Sequence, residues 1–384
     1  MELYIHFPFC VRKCRYCDFV SYPGAEGSIP AYIDALLAEA ALRKEEVTEP
    51  IDTVYFGGGT PSLVPAHELA RLVRKLRQIY PLQHVTEWTV EANPGTLTPE
   101  WLKSARDQGM NRVSLGMQAS QDRLLKLLGR IHSPGDVEQS VLAAKSAGFD
   151  HLNLDLIYGL PEQNLTDWRE TLLAAMDLEP DHLSAYGLIP EENTPLWTDL
   201  QSGALQLPEP EDEREMYEEA LQITSGHGFH QYEISNFARP GSACRHNIGY
   251  WSQVPYIGLG VSAASMVFVR QGSEGMKYLR KTNVNSLSHY FRGISSGHPA
   301  LDEEAWVQGR EAQFETMMLG LRKTEGVSEA DFFRMHGVSL EAGYGPKLEK
   351  LAEEGLLYHD GGFWKLTRLG MDLQNTVLVD LLDS

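Results

Sequence analysis

A chain of 384 residues with 42% hydrophobic residues is long enough to bury a full core, and it exceeds the usual size of one domain. Its net charge of −20 argues against a nucleic-acid partner, because neutralising phosphates takes clustered cations. Four cysteines, three of them close together, fit metal-ligand spacing in a reducing cytoplasm better than a secreted disulfide framework. The opening MELYIHFPFC lacks a basic-then-apolar leader, and no later stretch approaches about 18 uncharged apolar residues, so a soluble, unprocessed cytoplasmic protein is expected.

In chain order, runs rich in β-branched and aromatic residues predict strands at 3–7, 53–56, 86–91, 112–116, 151–157 and 182–188. Helical periodicity fills the gaps at 31–43, 66–79, 100–108, 121–128, 137–147 and 167–176, with Pro65, Pro99 and Pro134 near helix starts. Strand-helix alternation repeated six times implies parallel pairing by right-handed crossovers. The expected fold class is therefore α/β, a partial (β/α)6 TIM-like barrel over residues 1–225. Residues 226–304, rich in Gly, Ser and aromatics, are expected to be an irregular connecting region packed on the barrel. Periodicity returns at 306–321, and residues 349–356, 361–366 and 371–382 suggest the helix, wing and helix of a small winged-helix-like module over 305–384. This module has more acids than bases and no basic recognition helix, which leaves a lid or partner surface as its expected role rather than DNA binding.

Cys10, Cys14 and Cys17 follow the first strand directly, so their thiolates belong on a loop at its C-terminal end. Soft thiolates select zinc or iron-sulfur chemistry. A structural zinc site would need a fourth ligand nearby, which the spacing does not supply, and Cys244 could close a four-cysteine cluster only by folding back. Three thiolates on a four-iron cubane leave one iron open to chelate a substrate.

Other polar residues fall at predicted strand ends. Gly57-Gly58-Gly59-Thr60-Pro61 follows the second strand, Glu91 ends the third, Gln118 the fourth, and Asp155 lies in the fifth. Each taken alone reads as an ordinary structural residue. On one barrel rim, where ligand sites assemble, they point to a shared cavity.

The cysteine spacing and these rim motifs resemble the radical S-adenosylmethionine (SAM) superfamily and, within it, the branch containing oxygen-independent coproporphyrinogen oxidase and the haem chaperone HemW. Further stretches carry the resemblance over nearly the whole chain: Leu-Tyr-Ile-His-Phe-Pro-Phe-Cys, Asn111-Arg112-Val113-Ser114-Leu115-Gly116, Leu128-Gly129-Arg130-Ile131-His132, Leu154-Asp155-Leu156-Ile157-Tyr158-Gly159-Leu160-Pro161 and Met318-Leu319-Gly320-Leu321-Arg322. The resemblance implies a [4Fe-4S] cluster on Cys10, Cys14 and Cys17 and S-adenosylmethionine beside it. Tyr4 and Tyr16 would flank the cluster and adenine side, while Gly58, Gly59, Thr60 and Glu91 would receive the methionine end. Gln118 and Asp155 would take ribose hydroxyls, and Arg130 the cofactor carboxylate. The implied chemistry is reductive cleavage of the cofactor's carbon-sulfur bond.

Two departures speak against the decarboxylating oxidase: Asp18-Phe19 follows Cys17 where a further cysteine is expected, and only nine residues precede Cys10. His246-Asn247-Ile248-Gly249-Tyr250-Trp251 is similar to the His-Asn-x-x-Tyr-Trp element of HemW proteins. It marks His246 as the candidate haem contact, with Cys244 a weaker candidate. The resemblance then implies haem as cargo, haem-acceptor proteins as partners, an electron donor such as a flavodoxin or ferredoxin, no nucleic acid, and membrane contact through an acceptor. No catalytic residue is assigned. Coproporphyrinogen III oxidation remains the enzyme alternative. A related methyltransferase or cyclopropanase is a third, because Val261-Ser262-Ala263-Ala264-Ser265 stands where relatives tend to have a glycine-rich stretch and a histidine.

Overall fold

In the computed structural model, which describes residues 1–270 and 275–382, the six expected strands form and lie side by side in chain order. They are β1 (Glu2–Phe7), β2 (Thr53–Gly58), β3 (Glu87–Ala92), β4 (Arg112–Gln118), β5 (His151–Tyr158) and β6 (His182–Gly187), all paired parallel. Helices α1 (Ile29–Leu42), α2 (Ala66–Ile79), α3 (Pro99–Asp107), α4 (Asp122–Leu127), α5 (Pro134–Ser146) and α6 (Leu165–Asp177) make the crossovers. Local signals set their starts: Thr98 caps α3 ahead of Pro99, and Ser133 and Asn164 form capping boxes for α5 and α6.

Alternation along the strands separates two environments. Leu3, Ile5, Phe7, Val54, Phe56 and Val90 are fully buried in the layer between sheet and helices. The intervening positions are polar: Tyr55, Thr89, Arg112, Ser114, Asn153 and Asp155 line a narrow cavity on the inner face. A parallel sheet usually buries apolar residues on both faces, so this polar inner face sets the lumen apart as a place for chemistry.

The stretch expected to be irregular instead widens the sheet. After α7 (Pro195–Gln201) and α8 (Pro210–Gly226), β7 (His230–Glu233) and β8 (Asn236–Ala238) extend one edge beyond β6. Helix α9 (Arg245–Trp251) follows, and then β9 (Tyr256–Leu259) pairs parallel with β1 on the other side. Strands β10 (Ala264–Arg270), β11 (Met276–Asn283) and, after α10 (Leu287–Ser295), β12 (Leu301–Val307) continue that edge antiparallel. Among the described residues the resulting order is β12-β11-β10-β9-β1-β2-β3-β4-β5-β6-β8-β7, a twelve-stranded sheet whose edge strands do not pair with each other. These strands are short or carry charged residues such as Lys277, Arg280, Lys281, Asp302, Glu303 and Glu304, which hides them from a periodicity reading. Trp306, expected in a helix, belongs to β12, and the helix starts three residues later.

The C-terminal residues form α11 (Gly309–Gly320), β13 (Val327–Ser328), α12 (Glu329–His336), α13 (Leu340–Glu353), β14 (Leu357–Asp360), β15 (Phe363–Leu366), α14 (Arg368–Asp372) and α15 (Gln374–Leu382). The three strands pair antiparallel in the order β13-β15-β14, and Leu321, Phe332, Tyr344, Leu348 and Leu351 build a core separate from that of the barrel.

Candidate functional site

The cysteine loop leaves the C-terminal end of β1. Phe9–Cys10 pairs with Tyr22–Pro23, which closes the loop at its root. Two backbone bonds fix its middle: Arg15 N–H donates to the Leu128 carbonyl and receives Leu196 N–H on its own, each at 2.9 Å. Arg15 also pairs with Asp199. All three thiols are free and half-buried. The hydroxyl of Thr60 lies 3.5 Å from Cys10 Sγ, and a guanidinium nitrogen of Arg130 lies 3.5 Å from Cys14 Sγ, so two of the three sulfurs receive side-chain donors. Among the described residues no three ligating side chains converge where a single ion would sit. A cubane does not require that convergence, since its three thiolates rest on three different irons. Free thiols, hydrogen-bond donors to sulfur and a pinned loop together fit a cluster.

The glycine loop ends β2 beside these cysteines, and close approach explains two of its glycines. At Gly58 the backbone φ is +106°, and a Cβ would lie 2.5 Å from the His6 ring. At Gly59 a Cβ would lie 2.6 Å from the Phe9 carbonyl oxygen and 3.0 Å from Cys10 Sγ. Glu91, at the end of β3, accepts from Gly58 N–H at 3.0 Å and from the Tyr55 hydroxyl at 2.8 Å. Burial raises its pKa from 4.5 to about 7 despite both donors. Gln118 is buried at the end of β4 with φ +66°, an uncommon conformation for a residue other than glycine. Arg130 reaches across to the Gly116 carbonyl at 2.6 Å and to Asn93 Oδ1 at 2.7 Å. Asp155 accepts from Ser114 at 2.7 Å and Asn153 at 2.8 Å, and burial raises its pKa. Tyr4 bonds His6 Nδ1 at 3.0 Å, and Tyr16 packs into a small apolar cluster with Leu125 and Leu160. Tyr4 and Asp155 lie deeper, inside strands β1 and β5 on the inner face, and the other expected residues meet at the rim. It also holds three that the sequence reading did not single out: His6, Tyr55 and Asn93. The alternation of β1 and β2 puts Tyr4, His6 and Tyr55 on inward positions, a signal that was available; Asn93 lies two residues past Glu91.

His246 and Cys244 sit elsewhere, at the N-terminal ends of the strands. Glu2, Thr53, Glu87 and Arg112 open β1 to β4, and α9 docks on them. The His246 ring accepts or donates at both nitrogens, to Thr53 Oγ1 at 2.7 Å and to the Tyr250 hydroxyl at 3.0 Å, and it is 1% exposed. Its backbone N–H donates to Glu87 at 3.0 Å, and its ring stacks on Tyr55 with centroids 5.1 Å apart. Burial lowers its pKa to about 3, and burial likewise raises that of Glu2 to about 9, so their 3.9 Å approach is between neutral groups. Gly249 is required here, because a Cβ would overlap the Glu2 carboxylate. The buried Cys244 thiol lies 3.4 Å from Glu87, beside the Arg112–Glu87 pair, at the end of the barrel away from the other cysteines. Trp251 lies under the Arg322 guanidinium at 4.5 Å, and Arg322 pairs with the buried Glu233 at 2.9 Å. The base thus joins the His-Asn-x-x-Tyr-Trp element to the Met-Leu-Gly-Leu-Arg stretch of the C-terminal module.

With this geometry in place, comparison with known proteins identifies the relatives. Residues 4–175 match the model of the radical SAM superfamily, and residues 307–373 match that of the HemN C-terminal domain. The chain is 38% identical over 377 residues to the Heme chaperone HemW of Bacillus subtilis, covering 97% of each chain. It is 34% identical over 385 residues to the Heme chaperone HemW of Escherichia coli, covering 98% of this chain and 97% of that one. Among solved structures, the coproporphyrinogen III oxidase HemN of Escherichia coli superposes with a TM-score of 0.85 at 22% identity, covering all of this chain and 90% of that one, a likeness of fold. The chain belongs to the HemW family of the radical SAM superfamily.

Proposed function

We propose that this protein is a haem chaperone that binds haem and passes it to haem-requiring acceptors. The observation that carries this reading is likeness over essentially the full length to proteins named for that role, including both the barrel and the C-terminal module. A coproporphyrinogen oxidase is the weaker reading, supported by shared fold alone. Anaerobic haem titration followed by transfer to an apo-acceptor tests the proposal. Failure to bind haem, or vinyl formation from coproporphyrinogen III with reductant and S-adenosylmethionine, would move the assignment to the enzyme.

At the rim, Cys10, Cys14 and Cys17 would hold three irons of a [4Fe-4S] cluster and leave the fourth for S-adenosylmethionine. Glu91 would face the cofactor's amino group with Gly58, Gly59 and Thr60 beside it. Gln118 and Asp155 would meet its ribose, Arg130 its carboxylate, and Tyr4 and Tyr16 the cluster and adenine side. When bound, these groups supply one-electron reductive chemistry. The chain's part is to position them and to hold Glu91 at a charge set by pH. Arg12 and Lys13 are exposed next to the cysteines in an otherwise acidic chain, which suits an acidic one-electron carrier such as a flavodoxin or ferredoxin. Membrane contact would come through an acceptor; among the described residues no helix is long and apolar enough to cross a membrane.

We infer a structural role for His246 in place of the haem contact that its motif suggests. An iron takes a nitrogen lone pair, and here both nitrogens are engaged in a buried pocket, so the ring would have to leave Thr53 and Tyr250 first. In the arrangement described, His246 acts as a keystone of the barrel base.

A further inference from the structure

The three cysteines are not held alike. Thr60 Oγ1 donates to Cys10 Sγ at 3.5 Å and in turn accepts from Asn93 Nδ2 at 2.8 Å. The other end of the same amide, Asn93 Oδ1, accepts from Arg130 at 2.7 Å, and Arg130 donates to Cys14 Sγ at 3.5 Å. The four contacts form one arc, Cys10–Thr60–Asn93–Arg130–Cys14, drawn from four separate segments of the rim. Its direction is fixed by chemistry. Arginine only donates, so the amide oxygen must face it; the amide nitrogen then faces Thr60, whose hydroxyl hydrogen is left for sulfur. Asn93 is itself held at the backbone, its carbonyl accepting from Thr96 N–H at 3.1 Å and from the Thr96 hydroxyl at 2.6 Å. Cys17 stands outside the arc.

We propose that Asn93 is a positioning residue for the cluster, orienting one donor onto Cys10 and another onto Cys14, while Cys17 has no side-chain donor among the described residues. Hydrogen bonds to ligating sulfur stabilise the more negative, reduced cluster and so raise its potential. Asparagine is required at this position because the arc needs a donor and an acceptor back to back at fixed separation. A carboxylate offers no donor to Thr60, and a hydrophobic side chain offers neither. This inference rests on the cluster assignment proposed above.

The test is an EPR-monitored redox titration of the anaerobically reconstituted full chain as wild type, Asn93→Ala, Thr60→Val and the double variant, with iron and sulfide counted in each. The cluster assignment fails separately if wild type holds no cubane. Given a cubane, Asn93→Ala and Thr60→Val should both shift the midpoint to a more negative potential. The double variant should match Asn93→Ala, because the threonine donor has already lost its orientation there. An unshifted Asn93→Ala, or shifts that add in the double variant, overturns the proposal. If Asn93→Ala loads no iron, Thr60→Val decides: an unshifted midpoint there overturns the arc, and a negative shift supports its Cys10 arm.

Discussion

The two ends of the barrel use similar residue types for opposite purposes. At the rim and just inside it, Glu91, Arg130 and Asp155 stand near Gly58 and Gly59, whose missing Cβ atoms let His6 and the cysteine loop pack close, and two free thiols sit in hydrogen-bond reach of donors. At the base, Glu2, Glu87, Arg112, Cys244 and His246 are buried and interlocked, with Gly249 allowing helix α9 to approach rather than admitting a ligand. Tyr55 joins the two ends, since its hydroxyl reaches Glu91 while its ring lies on His246. The end of the strands that a histidine or cysteine occupies is therefore the observation on which its proposed role rests. In α/β barrels the C-terminal ends carry chemistry and the N-terminal ends carry stability.

The largest effect expected from this contrast concerns iron. Replacing Cys10, Cys14 or Cys17 by alanine should abolish cluster loading, whereas Cys244→Ala should keep full iron and sulfide content on colorimetric assay. Iron loss in Cys244→Ala without loss of folding would break the contrast. His246→Ala should cost about 3 kcal/mol in a denaturant titration, because it leaves a buried cavity and deprives Thr53 and Tyr250 of a partner. Arg322→Ala should cost about 2 kcal/mol by removing the partner of the buried Glu233 and the cation over Trp251.

An effect no larger than that of Arg322→Ala is expected from a pH dependence at Glu91. The folded protein binds this proton more tightly than the unfolded chain, whose carboxyl titrates near 4.5, so ionisation is a penalty that grows as pH rises from there to about 7. Glu91→Gln should therefore be more stable than wild type at pH 8, by about 2 kcal/mol, smaller than the whole shift implies because solvent reaches the rim. The two should converge below pH 4.5. Melting both proteins across that range checks the sign. If Glu91 receives the cofactor's ammonium, S-adenosylmethionine affinity should also fall as pH drops below 7 in wild type but not in the variant.

Much of the fold was legible in the sequence, since the first six strands are rich in β-branched and aromatic residues and three of the six crossover helices open on a side-chain cap. The edges of the sheet were not. Strand β9 owes its place to pairing with β1, about 250 residues away, and β10 to β12 follow it as a sequential antiparallel run whose polar and charged positions read locally as loop. The rim residues were legible because strand-end position and motif agree. Asn93 was not, because its role comes from Thr60 and Arg130, 33 and 37 residues away, and no spacing rule links them. His246 shows the reverse case: a motif picks out the residue, but only the fold reveals that Thr53 and Tyr250 already occupy its nitrogens.

The most direct test is haem titration of anaerobically reconstituted wild type and His246→Ala, with thermal midpoint and bound iron measured on the same samples. The account predicts stoichiometric haem on wild type, and a variant that melts earlier yet binds haem in its folded fraction. A variant that melts like wild type and has lost haem would contradict it, placing haem chemistry at the base.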